Sequence, residues 1–291
     1  KIAQEQLRMF IPIIFPTGLD FTINLSSLVA MYEAAWSPVM RHVTSRMAEE
    51  LLRVYPDLAF MFKQEKRRES DWSPKLPAEH HPARMKYEPK LELLCVTNEH
   101  TLVSFDHEMT HPVDKLHFSP ETMNNSTGSL ETRIEISIAT MGQDQRHRTI
   151  RRSEPEITGD FYIPPIVKEL GLESEAIELM RHWASLESPS TLVTILAPYG
   201  ATVAYDKSGS FNALAHEQLK RTCWCAQEEI YHLSRNLRKK IENGGKSTDS
   251  QLLSMFEPAC YRTGKCAEGI RYCGRDITIR GTGDYFPKRR V

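Results

Sequence analysis

A short basic segment follows the strand that we predict to end near residue 139. It reads Gln-Asp-Gln-Arg-His-Arg-Thr-Ile-Arg-Arg-Ser-Glu over residues 143–154, so five of its twelve residues are Arg or His. Guanidinium groups form paired hydrogen bonds with phosphate oxygens, which suits such a segment to a phosphate or diphosphate. On charge alone the alternative is a solvated basic loop. A second segment, residues 221–230, lies in a helical pattern and gives no functional signal by itself.

A zinc-binding pattern, His-Glu-x-x-His, occurs at residues 107–111, and His117 follows six residues later. Two His residues four apart meet on one helix face and can bind zinc, while Glu108 would act as a base on metal-bound water. Pro112 opposes helical geometry at His111, and Asp114 stands where the extended pattern has a turn-forming glycine. A zinc hydrolase is therefore a distant alternative.

Three cysteines near the C-terminus, Cys260, Cys266 and Cys273, have spacings wider than the usual zinc knuckle. With Cys223, Cys225 or a His as fourth ligand they form a candidate structural zinc site. The alternatives are reduced core cysteines or one disulfide.

Helical periodicity marks two long stretches of the chain. After Asn24, an N-cap candidate, apolar residues recur at steps of three or four as far as Val54, and Pro38 predicts two helices that meet near residues 36–38. A second run extends from Leu214 to Ile241 and ends at an Asn-Gly-Gly signal. An amphipathic helix is predicted over residues 172–186, and a short helical turn over residues 190–196.

Strands are predicted over residues 90–96 and 132–139, and in the second of these Ile134, Ile136 and Ile138 alternate with polar neighbours. The charged, Pro-rich residues 65–89 indicate a linker or long surface loop, and the tail from residue 246 onward is predicted to be rich in loops. The chain also contains a weak internal repeat: residues 3–60 align with residues 189–246 at a constant offset, so that Pro12 falls on Pro198 and Leu28 on Leu214.

The overall composition argues against several classes of function. With 37 basic and 38 acidic residues the net charge is -1, which opposes nucleic-acid binding by bulk electrostatics. The longest apolar stretch, residues 9–15, is short and contains Pro12, which opposes a membrane span. Six cysteines suit a reducing compartment, so we expect a cytoplasmic protein. Because the chain begins at Lys1 without an initiator Met, we expect it to be part of a longer protein.

The two segments at 143–154 and 221–230, in this order and at this separation, resemble the flavin-dependent thymidylate synthases. Arg146, His147 and Arg148 match the family's Arg-His-Arg signature, and Arg221 begins a match to its downstream Arg-x-x-x-His-Ala-Gln-x-Glu-Ile helix. The resemblance covers about residues 91–245. It implies an α/β (α+β) fold with a mixed sheet and long packed helices.

Under this resemblance the repeat divides the chain into four parts. Residues 1–64 would be the C-terminal half of a first, degenerate synthase-like domain, and residues 65–89 a linker. Residues 90–245 would be a second synthase-like domain, followed by a cysteine-containing tail over residues 246–291. We expect pseudo-dimeric domains and a homo-oligomer.

The implied reaction is reductive methylation of dUMP to dTMP, with FAD as cofactor and with NADPH and methylenetetrahydrofolate as co-substrates. Arg221 would be catalytic, stabilising charge that develops on the pyrimidine ring. The implied cofactor contacts are Arg146, His147, Arg148, Glu154, Ser210, Asn212 and His216. The implied nucleotide contacts are Gln143, Arg146, Glu154, Arg221 and Arg8.

Several positions depart from the family pattern. The family's signature Ser, its phosphate-binding Arg, a further Arg and the helix His fall in turn on Glu156, Thr158, Thr194 and Cys225. At the position of Thr194 the first copy of the repeat has Arg8, and at the position of Arg221 it has Ala35. Each copy therefore carries one of the two arginines, and we hypothesise one composite site that uses both and one vestigial site. A different nucleotide or one-carbon outcome, and a catalytically degraded pseudoenzyme, remain alternatives.

Overall fold

The computed structural model describes residues 2–13, 18, 20–35, 38–67, 84–97, 129–186, 196–244, 253, 256–266, 268–271, 273–274 and 276–277. The chain divides into two compact units, one made of Lys1–Ile14 with Leu76–Val291 and one made of Phe15–Lys75. The His-Glu-x-x-His pattern at 107–111, His117, Thr194 and residues 36–37 lie outside the described residues. The predicted helical turn at 190–196 lies outside them except for Leu196.

The larger unit contains a mixed sheet. Its described strands are β1 Met85–Lys86, β2 Lys90–Thr97, β3 Ser129–Ser137, β4 Arg151–Arg152, β5 Glu156–Tyr162 and β6 Ala201–Ser210. They lie in the order β1-β5-β6-β3-β2, and β4 pairs with β6 beside β5. Only the β1–β5 pair is parallel among these strands; the other pairs are antiparallel. The α/β fold with a mixed sheet is therefore confirmed.

The helices of the larger unit carry or flank the segments that the sequence singles out. They are α1 Ile2–Leu7, α4 Ile138–Asp144, α5 Pro165–Glu169, α6 Glu173–Ala184, α7 Phe211–Arg221, α8 Glu228–Gly244 and α9 Ala259–Thr263, with 3-10 turns at Arg8–Phe10 and Gly269–Arg271. None of the helices in the described part of the chain combines the length and the apolar character that crossing a bilayer requires.

The paired strands β3 and β6 form the centre of the sheet. They stay in register over nine residue pairs, from Ser129 with Ser210 to Ser137 with Thr202. The predicted alternation is confirmed for Ile134 and Ile136, which are buried while the residue between them is more exposed, but it is wrong for Ile138 and Ala139, which begin α4 instead of ending the strand. The buried side chains of the sheet join those of α7 and α8 in one core cluster, which includes Ile134, Ile136, Val203, Leu214, Leu233 and Leu237.

The smaller unit contains α2 Leu25–Ala34 and α3 Pro38–Val54, followed by 3-10 turns at Pro56–Met61 and Gln64–Lys66. Asn24 caps α2, since its Oδ1 accepts a hydrogen bond from the Ser27 backbone N–H at 2.8 Å. Tyr32 and Phe62 meet edge to face at 5.4 Å between ring centroids within a small apolar cluster. The prediction of two helices meeting near Pro38 is confirmed.

The second predicted helical run is wrong in one respect, because it is interrupted. Helix α7 ends at Arg221 and α8 begins only at Glu228. The Gln227 side chain accepts a hydrogen bond from the Ile230 N–H at 3.1 Å and so starts a new helix rather than continuing the old one. Likewise Ser137 ends β3 by capping α4. Strands β4, β5 and β6 were not predicted, and β1 lies within the predicted linker.

The repeat has counterparts among the described elements. Shifting α2 by 186 residues gives residues 211–220, almost the range of α7, and it places the cap residue Asn24 on Ser210, which caps α7. Pro12 and Pro198 form an antiparallel bridge, in which Tyr199 N–H donates to Ile11 O and Ile13 N–H donates to Ala197 O, both at 2.9 Å. The shift of 186 residues places Ile11 on Ala197 and Ile13 on Tyr199, so it turns each of these two bonds into the other. The bridge therefore has local two-fold pseudosymmetry. The domain boundaries at 64, 89 and 245 stay predictions.

Candidate functional site

An open cleft of about 470 Å³ lies at the C-terminal end of α7. Four cationic side chains line it, Arg8, Arg146, Lys220 and Arg221, and Glu268 is the one carboxylate among its described lining residues. The remaining lining residues are Ala139, Gly142, Gln143, Cys223, Cys225, Ala226 and Gln227. A cleft with this excess of positive charge favours an anionic ligand.

Arg221 is held by three hydrogen bonds to α4 and the turn that follows it. Its Nη2 donates to the Gln143 backbone oxygen at 2.6 Å and its Nη1 to Gln143 Oε1 at 3.3 Å. Its Nε donates to His147 Nε2 at 3.1 Å. The two motifs that carry the family resemblance therefore meet at one guanidinium group, through residue pairs that are 74 and 78 positions apart in sequence.

His147 must be neutral to accept the hydrogen bond from Arg221. Burial lowers the pKa of His147 to about 3, and the positive charge of Arg221 and the neighbouring His216 ring act in the same direction. The His147 and His216 rings meet edge to face at 5.5 Å between centroids. Within the structure His147 is thus a positioning residue for Arg221 rather than an exposed ligand contact.

A buried charge network lies beneath this turn. Lys207 Nζ donates to Asp144 Oδ1 at 2.5 Å and to both Glu217 carboxylate oxygens at 2.6 Å. Asp144 also accepts from Tyr205 Oη at 2.9 Å and from Arg152 Nε. Arg152 in addition donates to the backbone oxygen of His147 at 3.0 Å. The network therefore holds His147 in place, and His147 in turn orients Arg221.

The ionised groups of this network have opposite pKa shifts. Burial alone would raise the pKa of Asp144, but Lys207 and Arg152 outweigh it and hold that pKa well below its usual range. Burial raises the pKa of Glu217, and the negative charge of Asp144 adds to the effect, which Lys207 opposes. Burial also raises the pKa of the Tyr205 hydroxyl, which remains a donor to Asp144.

A second set of buried polar contacts joins α4 to the start of α8. Glu229 accepts hydrogen bonds from the Ser137 N–H at 2.7 Å and from Thr140 Oγ1 at 2.6 Å, and also from Ser137 Oγ. Thr140 Oγ1 also contacts Gln227 Oε1 at 2.9 Å. Burial raises the pKa of Glu229 despite these donors. In this chain Gln227 and Glu229, part of the family-like segment, position the helix that carries Gln143.

The residues that the resemblance assigns to the nucleotide mostly meet in the cleft. Gln143, Arg146, Arg221 and Arg8 all line it, and Arg8 comes from the first copy of the repeat. Glu154 is exposed and is not among the lining residues. The hypothesis of a composite site is therefore compatible with the placement of Arg8 and Arg221.

The residues assigned to FAD fit that cofactor only in part. Arg146 and Arg148 are exposed on the turn after α4, where guanidinium groups can hold a diphosphate. His147 is occupied by Arg221, and Ser210 is buried with its hydroxyl accepting the Ala213 N–H at 3.2 Å as the cap of α7. His216 is also buried, and Asn212 lies within α7. The turn therefore suits a diphosphate group, without selecting a flavin in particular.

Three departures from the family pattern have defined positions. Glu156 is exposed on β5 and pairs with Arg133 at 3.6 Å, so it is not a lining residue of the cleft. The Thr158 and Thr202 hydroxyls are 2.5 Å apart. Cys225 does line the cleft, and burial, together with nearby Cys223 and Cys273, raises the pKa of its thiol to about 11. Cys225 is therefore protonated at neutral pH in the metal-free chain.

The predicted zinc ligands Cys260, Cys266 and Cys273 do not form a ready metal site. None of the six cysteines is paired in a disulfide in the structure. Across the described ranges, no group of three or more His, Cys, Asp or Glu side chains is arranged to hold a metal ion. The three cysteines nevertheless line one cavity.

Sequence reasoning missed the residues that support Arg221. Asp144, Lys207, Glu217, Thr140 and Glu229 are all buried, yet they stand in polar stretches that look like surface. The available signal was the position of Asp144, within the basic segment and directly after Gln143. A carboxylate among so many cations indicates an internal ion pair.

No family model matches the sequence, and no curated protein matches it. The chain is similar to two solved structures of a UMP/dUMP methylase, PolB from Streptomyces cacaoi. The structure bound with 5-Br UMP has 14% identity and a TM-score of 0.41, and the match covers 55% of this chain and 91% of that chain. The structure bound with 5-Br dUMP has 13% identity and a TM-score of 0.41, with 60% and 96% covered.

Proposed function

We propose that this chain is an enzyme that binds a pyrimidine nucleoside monophosphate in the basic cleft and methylates it reductively, as the flavin-dependent thymidylate synthases do. The observation that carries the proposal is the convergence of Gln143 and Arg221 on one cleft, where two hydrogen bonds join them. The resemblance pairs these same residues on the nucleotide. The contact between Gln143 and Arg221 in the folded chain therefore supports the proposal.

Arg221 would supply positive charge to the pyrimidine ring. Its guanidinium is anchored from one side by Gln143 and His147, so it needs no reorganisation when negative charge develops on the ring. Because His147 is neutral, it does not reduce the attraction between Arg221 and an anion. Arg8, Arg146 and Lys220 line the same cleft and would bind the phosphate group.

The implied balance is dUMP plus methylenetetrahydrofolate plus a two-electron reductant giving dTMP plus tetrahydrofolate. The C5 hydrogen of the nucleotide leaves as a proton while the transferred carbon forms its bond to C5. When bound, reduced flavin would supply the hydride, and NADPH would reduce the oxidised flavin again. Arg146 and Arg148 are the residues that would hold the cofactor's diphosphate.

The test is nucleotide binding to the full chain by calorimetry, followed by an anaerobic assay for dTMP with methylenetetrahydrofolate, FAD and NADPH. Arg221→Ala removes a charge-assisted contact worth roughly 1.5–3 kcal/mol, so dUMP affinity should fall by about 10- to 150-fold. Arg181→Ala, on the exposed side of α6, is the matched control and should leave affinity unchanged.

The outcomes separate the alternatives. Arg221-dependent dUMP binding with dTMP formation supports the whole proposal. Binding without turnover supports the nucleotide site and overturns methylation, in favour of a degraded enzyme. If Arg221→Ala and Arg181→Ala bind dUMP as tightly as the unaltered chain, the cleft is not the nucleotide site.

A further inference from the structure

Five of the six cysteines line a single small cavity of about 30 Å³. They come from three parts of the chain: the connection between α7 and α8, helix α9, and the segment after α9. The five residues are Cys223, Cys225, Cys260, Cys266 and Cys273. One disulfide would use two of them, whereas a tetrahedral metal ion uses four.

Two of these sulfurs accept backbone hydrogen bonds with the same local geometry. The Cys225 N–H donates to Cys223 Sγ, and the Glu268 N–H donates to Cys266 Sγ, both at 3.4 Å. In each case the donor is two residues after the acceptor. Hydrogen bonds to sulfur favour the thiolate and orient it as a metal ligand.

The segment that contains Cys266 and Cys273 adds little to the apolar core. Phe256 and Tyr261 are buried, and every later residue whose burial is described is half-buried or exposed. A segment without an apolar anchor gains no hydrophobic stabilisation from packing, and a bound metal can replace that contribution.

We propose that this cavity binds a Zn²⁺ ion through four of the five thiolates, tying the α7–α8 connection to the C-terminal segment. As the thiols stand, no three described ligand side chains are arranged around a common point. Tetrahedral bonds of about 2.3 Å bring the sulfurs to about 3.8 Å from one another, so ligation requires rotation of the cysteine side chains. Lys220 and Glu268 line the same cavity, so a zinc tetrathiolate would have one cation and one carboxylate beside it.

The zinc site would also stabilise one wall of the cleft, because Cys223, Cys225 and Glu268 line both cavities. Its existence does not depend on the proposed methylation. The two proposals can therefore fail separately.

The first test measures metal in the full chain purified without chelator. We expect about one equivalent of zinc, and exchange with Co²⁺ should give the charge-transfer and d–d absorption of a tetrahedral tetrathiolate. Absence of zinc together with absence of the cobalt thiolate band would overturn the proposal. Bound iron with sulfide, or a mass lower by one or more disulfides, would also overturn it.

Variants then identify the ligands. Cys223→Ser and Cys273→Ser should each weaken zinc binding at least about 10-fold, while Cys95→Ser, on the exposed part of β2, should not change it. If the variants do not fold, alkylation of the unaltered chain still decides. With zinc, four cysteines should be protected from iodoacetamide and should become reactive after chelation. Equal reactivity with and without zinc contradicts the site.

Discussion

The substitution Asp144→Asn tests whether the buried network below the cleft stabilises the fold and the site. Asp144 is fully buried and accepts hydrogen bonds from Lys207, Arg152 and Tyr205. Asparagine has nearly the same shape but no charge and only one acceptor oxygen. Arg152 and Tyr205 both donate to Asp144 Oδ2, so an asparagine oxygen in that place keeps at best these two of the three contacts and leaves Lys207 paired with Glu217 alone.

The expected cost follows from these contacts. One hydrogen bond from the Lys207 ammonium, worth roughly 1.5–3 kcal/mol, is lost, and the cations Lys207 and Arg152 also lose the charge of their partner. Breaking a buried ion pair by removing one partner typically costs roughly 3–5 kcal/mol in total. We therefore expect Asp144→Asn to lower the free energy of unfolding by about 3–5 kcal/mol at pH 7, measured by urea denaturation of the full chain.

The matched control is Asp206→Asn on the neighbouring strand β6. Asp206 is 36% exposed and pairs at 3.2 Å with Arg133, which is 45% exposed. An exposed pair of this kind contributes about 0–1 kcal/mol. A loss below 1 kcal/mol for both variants would refute the idea that the buried network stabilises the fold.

The pH dependence supplies a second, independent readout. The pKa of Asp144 is lowered in the folded state, so its contribution is fully present above its unfolded pKa of about 3.9 and is lost as the pH falls through the folded value. The part of the difference between the unaltered chain and Asp144→Asn that comes from ionisation of Asp144 itself, apart from the accompanying change in the pKa of Glu217, should therefore be constant from pH 7 to about pH 5. It should shrink only at more acidic pH.

Three further predictions concern His147, two glycines and Arg8. His147→Gln should make the free energy of unfolding less sensitive to acid. The pKa of His147 is about 3 in the folded chain and about 6.5 in the unfolded chain, so His147 contributes stability that is fully present above pH 6.5 and is lost as the pH falls below that value. Urea denaturation between pH 8 and 5 measures this loss in the unaltered chain and the variant. Gly200→Ala should cost about 1–3 kcal/mol in the free energy of unfolding, because its Cβ would overlap the Phe161 ring, whereas Gly142→Ala, with open space around it, should be neutral or stabilising. Arg8→Ala should weaken dUMP binding in calorimetry without lowering stability, since Arg8 is exposed in the cleft; unchanged affinity would contradict the composite site.

Local patterns predicted several elements because the physics there is local. The Asn24 cap with its periodic apolar residues, and the alternation in β3, depend on neighbours within a few residues. Strand β6 was missed for the opposite reason. Its sequence, Ala-Thr-Val-Ala-Tyr-Asp-Lys-Ser-Gly-Ser, has weak strand propensity, and it becomes a central strand by pairing with β3, β4 and β5.

The site shows the same division between local and long-range causes. The basic segment could be recognised from charge density, but the charges do not all face a ligand: Arg152 and His147 are turned inward to hold one another and Arg221. Which cations turn inward depends on Asp144, Lys207 and Glu217, which only the folded sheet brings together. Arg221 donates to neutral groups of His147 and Gln143, so these hydrogen bonds do not neutralise its positive charge. Arg221 therefore differs from Arg152 in having no carboxylate among the hydrogen-bond partners described above, and that difference makes it the residue through which the cleft would act on an anion.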